Sequence, residues 1–208
     1  AIIAAFLLVS RNKIVLNRFW EARAHLGTCF RSCQELVSLV AVLTIGETGA
    51  GAKSYRLNVS HRTILLLRVA MASLEYKNTN RAPWRVPEMP REEQIEFEEL
   101  FPSLSENDHD AGAKAVRRRL RRTMANNKWA QTEEQVLSYD ALRPPLVLGY
   151  QLRETILFPR NGTSLVRPFK IPEELRLLDQ VNAFMKAYHS LIKVISSPVP
   201  FPWIQMAR

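Results

Sequence analysis

Apolar and polar positions along this chain fall into a helical rhythm, with no sustained two-residue alternation. The opening A-I-I-A-A-F-L-L-V-S is apolar, and at Arg11 the chain turns abruptly polar and basic, with Phe19 and Trp20 set between Arg18 and Arg23. No proline occurs from Ala1 to Thr44, and Gly27 is the one glycine there. The pattern therefore predicts one continuous helix of roughly 65 Å, at about 1.5 Å per residue. Ile2, Phe6 and Ser10 recur at every fourth residue and so share one face of it. Ala1, Ala4 and Ala5 are small enough to let neighbouring helices approach closely. Farther along, Leu26, Phe30, Cys33, Val37 and Val40 continue the apolar stripe, with Arg18, Arg23, Arg31 and Glu35 as polar positions. A helix that leaves an apolar layer for a basic, aromatic-studded collar has the pattern of a membrane-to-water transition.

The first helix is expected to end in the glycine-rich turn I-G-E-T-G-A-G-A-K-S. Ser60 is placed to cap a second helix from His61 to about Tyr76, with Ile64, Leu65, Leu67, Val69, Ala70 and Leu74 as its apolar positions. Pro83, Pro87 and Pro90 mark a loop, and Pro90 then suits the first turn of an acidic helix, Arg91 to Leu100, read as a solvated face. A polar stretch leads into A-K-A-V-R-R-R-L-R-R-T-M, an arginine-rich insertion over about 104–128. A short helix is expected from Trp129 to Leu142, and Pro144 and Pro145 open another. The last long helix begins at Ile171-Pro172-Glu173-Glu174, where proline in the first turn and two carboxylates at the positive helix end are both favourable. Its stripe reads Leu175, Leu178, Val181, Phe184, Met185, Tyr188 and Leu191. At Ser196 and Ser197 it gives way to S-P-V-P-F-P, a proline-fixed extended segment.

Composition narrows the function classes. The chain has 208 residues, a net charge of +9 and 2 cysteines. That is one domain with a real core, basic enough to suit an anionic partner: nucleic acid, an acidic membrane surface or a small anion. Cys29 and Cys33, four residues apart on the first helix, read as buried free thiols, not as a disulfide framework or a metal pair. None of the apolar runs reaches the ~18 uninterrupted residues that mark a membrane helix by themselves. The arginines of 117–122 wrap most of a helix circumference and lack interleaved aromatics, so they give no base-stacking platform. Nucleic acid is not expected as a partner.

Two candidate chemistries fail on spacing. The run V-L-T-I-G-E-T-G-A-G-A-K-S comes close to a Walker A loop, but Ala52 intervenes between Gly51 and Lys53-Ser54 and moves the lysine off its phosphate. A flexible inter-helix loop is the reading there. His25, His61, His109 and His189 are scattered, with no Ser-His-Asp order and no convincing metal spacing. No catalytic residue, metal or cofactor is expected, and the chain does not read as an enzyme.

The motifs carry a resemblance. L-L-V-S-R-N followed by N-R-F-W-E-A-R-x-x-L-G resembles the signature of the bestrophin family of anion channels, especially its plant, algal and bacterial branch. I-S-S-P-V-P-F-P-W-I-Q, near the other end of the chain, resembles that family's I-x-x-T-P-I-P-F-x-Y. The resemblance implies an all-α membrane protein with an antiparallel helical bundle on the aqueous side. Residues 1–208 form one bestrophin-like domain: 1–10 in the membrane or pore neck, 11–197 in the bundle, 198–208 re-entering the membrane. It implies that the chain starts midway through a membrane helix, with further membrane helices before Ala1 and after Pro202. It implies apolar pore-neck rings at Ile2, Phe6 and Ser10, where serine replaces the family's third aromatic and widens the ring. A second constriction falls at Lys170 or Ile171. Arg11, Lys13 and Arg18 would attract anions, and Phe19, Trp20, Glu21, Arg23, Pro198, Pro200 and Pro202 form the membrane-boundary motif through packing and ion pairs. Chloride or bicarbonate is the transported ion, the partner is a homopentamer in a plastid thylakoid or mitochondrial inner membrane, and no calcium site is assigned. The alternative is a non-conducting accessory subunit docked among other proteins of an organellar complex.

Overall fold

The computed structural model describes residues 2–79, 81–102, 104, 140–161 and 165–196. The basic insertion beyond Leu104, most of the helix expected over 129–142, and Pro198, Pro200 and Pro202 lie outside the described residues. All regular structure among the described residues is helical. Helix α1 runs Ile2–Leu43, α2 Ala50–Thr79, α3 Arg91–Leu100, α4 Pro144–Leu157 with a 3₁₀ turn Phe158–Asn161 after it, and α5 Ile171–Ser196. The all-α expectation holds for these residues.

Local signals account for most helix starts. Pro90 precedes α3, whose first turn carries Glu92 and Glu93, negative charge at the positive end of the helix dipole. Pro144 and Pro145 occupy the first two positions of α4, where a missing N–H costs nothing. At α5 the Lys170 N–H donates to Glu173 Oε2 at 2.8 Å, the carboxylate reaching back over the first turn as in a capping box.

The start of α2 departs from expectation. It begins at Ala50, not His61, so Gly51, Ala52, Lys53 and Ser54 are helical and Ser60 lies mid-helix. Packing explains the gain: Ala52, Tyr55 and Val59 are buried, at three- and four-residue spacing that gives this stretch a core-facing stripe. Only Thr44 to Gly49 remains as the turn between α1 and α2. The near-Walker stretch is therefore mostly helix, and its loop is shorter than expected.

Four helices make the bundle: α1 packs most extensively on α5, α2 on α4, and α1 on α2 and α4 on α5 close the set. The core takes Cys29, Cys33, Leu36 and Val40 from α1, and Leu177, Val181, Phe184, Tyr188 and Leu191 from α5. It takes Tyr55, Val59, Leu65, Leu66 and Val69 from α2, and Leu148, Leu152 and Ile156 from α4. Cys29 and Cys33 are buried free thiols, as the sequence suggested. The stripes shift by a residue or two from those predicted. Phe30, Ile64 and Leu175 are exposed, while Cys29 and Leu36, Leu65 and Leu66, and Leu177 turn inward. Each apolar band is wider than the contact it serves, so a 3.6-residue period admits adjacent phases and the partner helix selects one.

α4 and α5 approach closely at Gly149, which is buried in α4. A Cβ built there would stand 2.9 Å from Met185 Sδ of α5. The proline-rich segment between α2 and α3 folds back on an aromatic trio: Trp84 lies 6.1 Å from Phe97 and 5.7 Å from Phe101, centroid to centroid. The acidic α3 is not the wholly solvated face expected of it. Glu93 receives Arg62 Nη1 of α2 at 2.7 Å, and Glu98 meets Arg85 at 3.3 Å. Arg62 also donates to Gln151 Oε1 of α4 at 3.2 Å, so one guanidinium joins three helices.

Candidate functional site

The two regions singled out by sequence lie at opposite ends of the α1–α5 pair. The Cys29 thiol faces the Phe184 carbonyl at 3.9 Å, and Glu47 bonds the backbone at Val166 and Arg167, so α1 and α5 are antiparallel. In that register Ser196, where α5 ends, comes level with about Asn17 of α1, both helices rising about 1.5 Å per residue. The helix that packs most extensively on α1 therefore goes no further than that point. Ser10 and Thr44 are then roughly 50 Å apart along one helix axis.

The overhanging part of α1 is apolar on several sides. Val9, Ile14, Val15 and Leu16, and Phe19 and Trp20 at its root, are all exposed, and they alternate with Asn12, Lys13, Asn17 and Arg18. Ile2, Phe6 and Ser10 occupy successive turns of the helix, and Ser10 is half-buried. Arg11 is helical, Lys13 is exposed and Arg18 is half-buried. Among the described residues, α1 is the one helix long and apolar enough to cross a membrane, over the 32 residues Asn12–Leu43. Its C-terminal part is apolar because it lines the bundle core; among the described residues, burial does not account for Val9, Ile14, Val15 and Leu16.

The aromatic collar has its own geometry. Phe19 and Trp20 meet edge-on, with centroids 5.6 Å apart and planes at 71°, a favoured arrangement of ring quadrupoles. The Arg23 guanidinium lies 5.3 Å from the Trp20 ring centroid, a cation–π distance. Glu21 approaches His25 Nε2 at 3.8 Å. The expected packing of Phe19 and Trp20 is not supplied by the described residues, since the two are 57% and 56% exposed.

At the other end, Lys170 and Ile171 open α5, both exposed. They sit beside the turn between α1 and α2, which is held by one side chain. Arg56 Nη1 donates to the Thr44 carbonyl at 2.9 Å, to Thr44 Oγ1 at 3.2 Å and to the Glu47 carbonyl at 3.1 Å. From that turn the Glu47 carboxylate accepts the Val166 N–H at 3.0 Å and the Arg167 N–H at 2.9 Å. A cleft of about 550 Å³ lies between the two segments, lined in part by Ile45, Glu47, Phe169 and Glu173.

Two phenols deep in the bundle donate to backbone carbonyls. Burial pushes the Tyr55 phenol well above its ordinary value, and the nearby Glu174 carboxylate adds to the shift. The Tyr55 hydroxyl donates to the Ile156 carbonyl at 3.2 Å. Burial likewise raises Tyr188, which donates to the Leu142 carbonyl at 2.9 Å. No group of three or more His, Cys, Asp or Glu side chains that could hold a metal ion occurs among the described residues.

Sequence reasoning missed Glu47, Arg56 and the Arg62–Glu93–Gln151 junction. Glu47 read only as one letter of a glycine-rich turn, and its partners lie well over a hundred positions away, where no local pattern reaches. Arg56 carried a faint signal, sitting next to Tyr55 in the buried stripe of Ala52, Tyr55 and Val59. No protein-family model, curated protein or solved structure gives a match to this chain.

Proposed function

We propose that this chain is a subunit of a homopentameric, bestrophin-like anion channel that passes chloride or bicarbonate through a membrane. The observation that supports this best is the α1 overhang, a single helix bearing exposed Val9, Ile14, Val15 and Leu16 beyond the end of its bundle partner, with exposed Phe19 and Trp20 at its root. Contiguous apolar surface of this kind marks a site covered by lipid or protein, and sister helices around an axis together with lipid would cover all its sides. The motif resemblance names the architecture in which that happens.

On this reading Ile2, Phe6 and Ser10 face the axis as stacked rings. Apolar rings constrict and gate by dewetting, and weakly hydrated anions pass them more easily than strongly hydrated ones. Serine at position 10 gives a wider, wetter third ring. Arg11, Lys13 and Arg18 at the neck raise the local anion concentration, and Lys170 and Ile171 form a second ring at the far end of the α1–α5 pair. The setting implied by the plant-type motifs is an organellar membrane, thylakoid or mitochondrial inner.

The test is copy number followed by conduction. Native mass spectrometry of a mild-detergent extract is expected to show five identical chains, and the purified protein to give anion-selective currents in planar bilayers. One copy held among unrelated proteins would refute the channel and leave the accessory-subunit reading.

A further inference from the structure

The carboxylate of Glu47 is spent on backbone rather than on solvent or a cation. Its two oxygens take the N–H groups of two consecutive residues, Val166 at 3.0 Å and Arg167 at 2.9 Å. Both lie in the link between α4 and α5, where Val166 is 95% exposed and its side chain does little to hold the segment. A carboxylate accepting two N–H groups is a charge-assisted clasp, roughly twice as strong as neutral hydrogen bonds. The clasp has rigid ends. On one side Arg56 fixes the turn that carries Glu47, through the carbonyls of Thr44 and Glu47. On the other, three residues beyond Arg167, Lys170 is tied to Glu173 by its N–H, and its carbonyl accepts the N–H groups of Glu173 and Glu174 at 2.9 and 3.1 Å. Hydrogen bonds thus run from the C-terminal end of α1 to Arg167, and the two residues Pro168 and Phe169 connect them to the bonded first turn of α5.

We infer that Glu47 is a positioning residue for the second constriction, clasping the α4–α5 link so that Lys170 and Ile171 are presented at one fixed height and angle. This rests on the channel reading for what Lys170 and Ile171 do, and on geometry alone for the clasp. Free of the clasp, the link keeps buried Leu165 at one end and the Tyr55–Phe169 ring contact, 5.8 Å between centroids, at the other. Val166 to Pro168 between them lose their tether, and the approach to the first turn of α5 gains freedom. A ring built from that turn in every subunit would then lose its defined width. Selectivity depends on that width, whereas the bundle core, which Glu47 does not touch, is unaffected.

The experiment compares the full-length wild type with Glu47→Ala and Glu47→Gln, by amide hydrogen exchange at single-residue resolution and by reversal potentials in bilayers bathed in chloride against a larger anion. Alanine removes both acceptors, while glutamine keeps one carbonyl oxygen and sets an NH₂ donor against the other N–H. In Glu47→Ala the amides of Val166 and Arg167 are expected to exchange about tenfold faster or more, as loss of charged hydrogen bonds predicts. In Glu47→Gln only one of them should do so. Protection across the α1–α5 core should stay at the wild-type level in both, and the permeability ratio should shift in Glu47→Ala and by less in Glu47→Gln. Unchanged exchange at both amides would overturn the clasp whether or not the protein conducts. Faster exchange with an unchanged permeability ratio would overturn the positioning role. A wild type that carries no current would refute the channel reading, and with it the role at a constriction, while the exchange data still decide the clasp.

Discussion

Trp20, at the root of the α1 overhang, offers the sharpest test of whether that surface is covered in the working assembly. An aromatic side chain buries about 150–250 Å², so the 56% of Trp20 left exposed by this chain amounts to roughly 100 Å² of ring for a neighbour or lipid to cover. At about 25 cal/mol per Å², covering it stabilises the assembly by about 2.5 kcal/mol per subunit. The Arg23 guanidinium, 5.3 Å from the ring centroid, belongs to the same helix and so orients the ring without adding to the assembly energy. Trp20→Ala should therefore weaken the oligomer by about 2–3 kcal/mol per subunit, which would bring its dissociation to markedly lower temperature or harsher detergent. Leu100 of α3, also exposed, is the control: Leu100→Ala at an ordinary surface site should stay within about 0.5 kcal/mol. Native mass spectrometry along a heating series reads both variants, and the change in iodide quenching between wild type and Trp20→Phe reports Trp20 itself. Equal behaviour of Trp20→Ala and Leu100→Ala, with Trp20 fully quenched by iodide, would refute the covered overhang.

Two further outcomes follow from the bundle. Arg62 and Glu93 are mostly buried, at 26% and 19% side-chain exposure, so Arg62→Ala should cost about 1–3 kcal/mol by stranding a carboxylate among three helices. In a double-mutant cycle, thermal unfolding of Arg62→Met/Glu93→Gln should recover part of that loss; full additivity would mean the pair is uncoupled. Tyr55 and Tyr188 hold their protons more tightly folded than unfolded. Their contribution is thus fully present below the ordinary tyrosine value of about 10 and is lost as pH rises above it. The thermal midpoint should fall above that pH in step with tyrosinate absorbance, and more gently in Tyr55→Phe; an unchanged midpoint would contradict the burial-driven shift.

Much of this fold could be read from local signals. The bounds of α1, α3, α4 and α5 follow from where prolines, acidic first turns and the glycine-rich turn stand, because those residues act on the backbone next to them. The early start of α2 was hidden, because Gly51 and the lysine-serine pair look like loop chemistry and only burial of Ala52, Tyr55 and Val59 outweighs them. Facing errors at Phe30, Ile64 and Leu175 have one origin: a helix carries more apolar residues than one neighbour can cover. Of the candidate site, Lys170 and Ile171 were placed correctly at the head of the last helix, and Lys13, Arg18, Phe19 and Trp20 on the first. What fixes that head in place, Glu47 and Arg56, depends on contacts between distant parts of the chain.

The uneven grip on α1 has a mechanical consequence. The bundle holds the helix over roughly its C-terminal two-thirds, and the free arm from about Asn17 to Ile2 is some 20 Å long at about 1.5 Å per residue. No proline interrupts the 42 residues, and Gly27, with nothing within 4 Å of a Cβ built on it, is not held against a neighbour. The helix is therefore a lever pivoted at the edge of its own domain. With the pivot where that grip ends, near Asn17, a tilt of only ~5° sweeps the tip of the arm through about 2 Å. Small adjustments of helix packing at one end are thereby converted into atom-sized displacements at the other, without any hinge having to unfold.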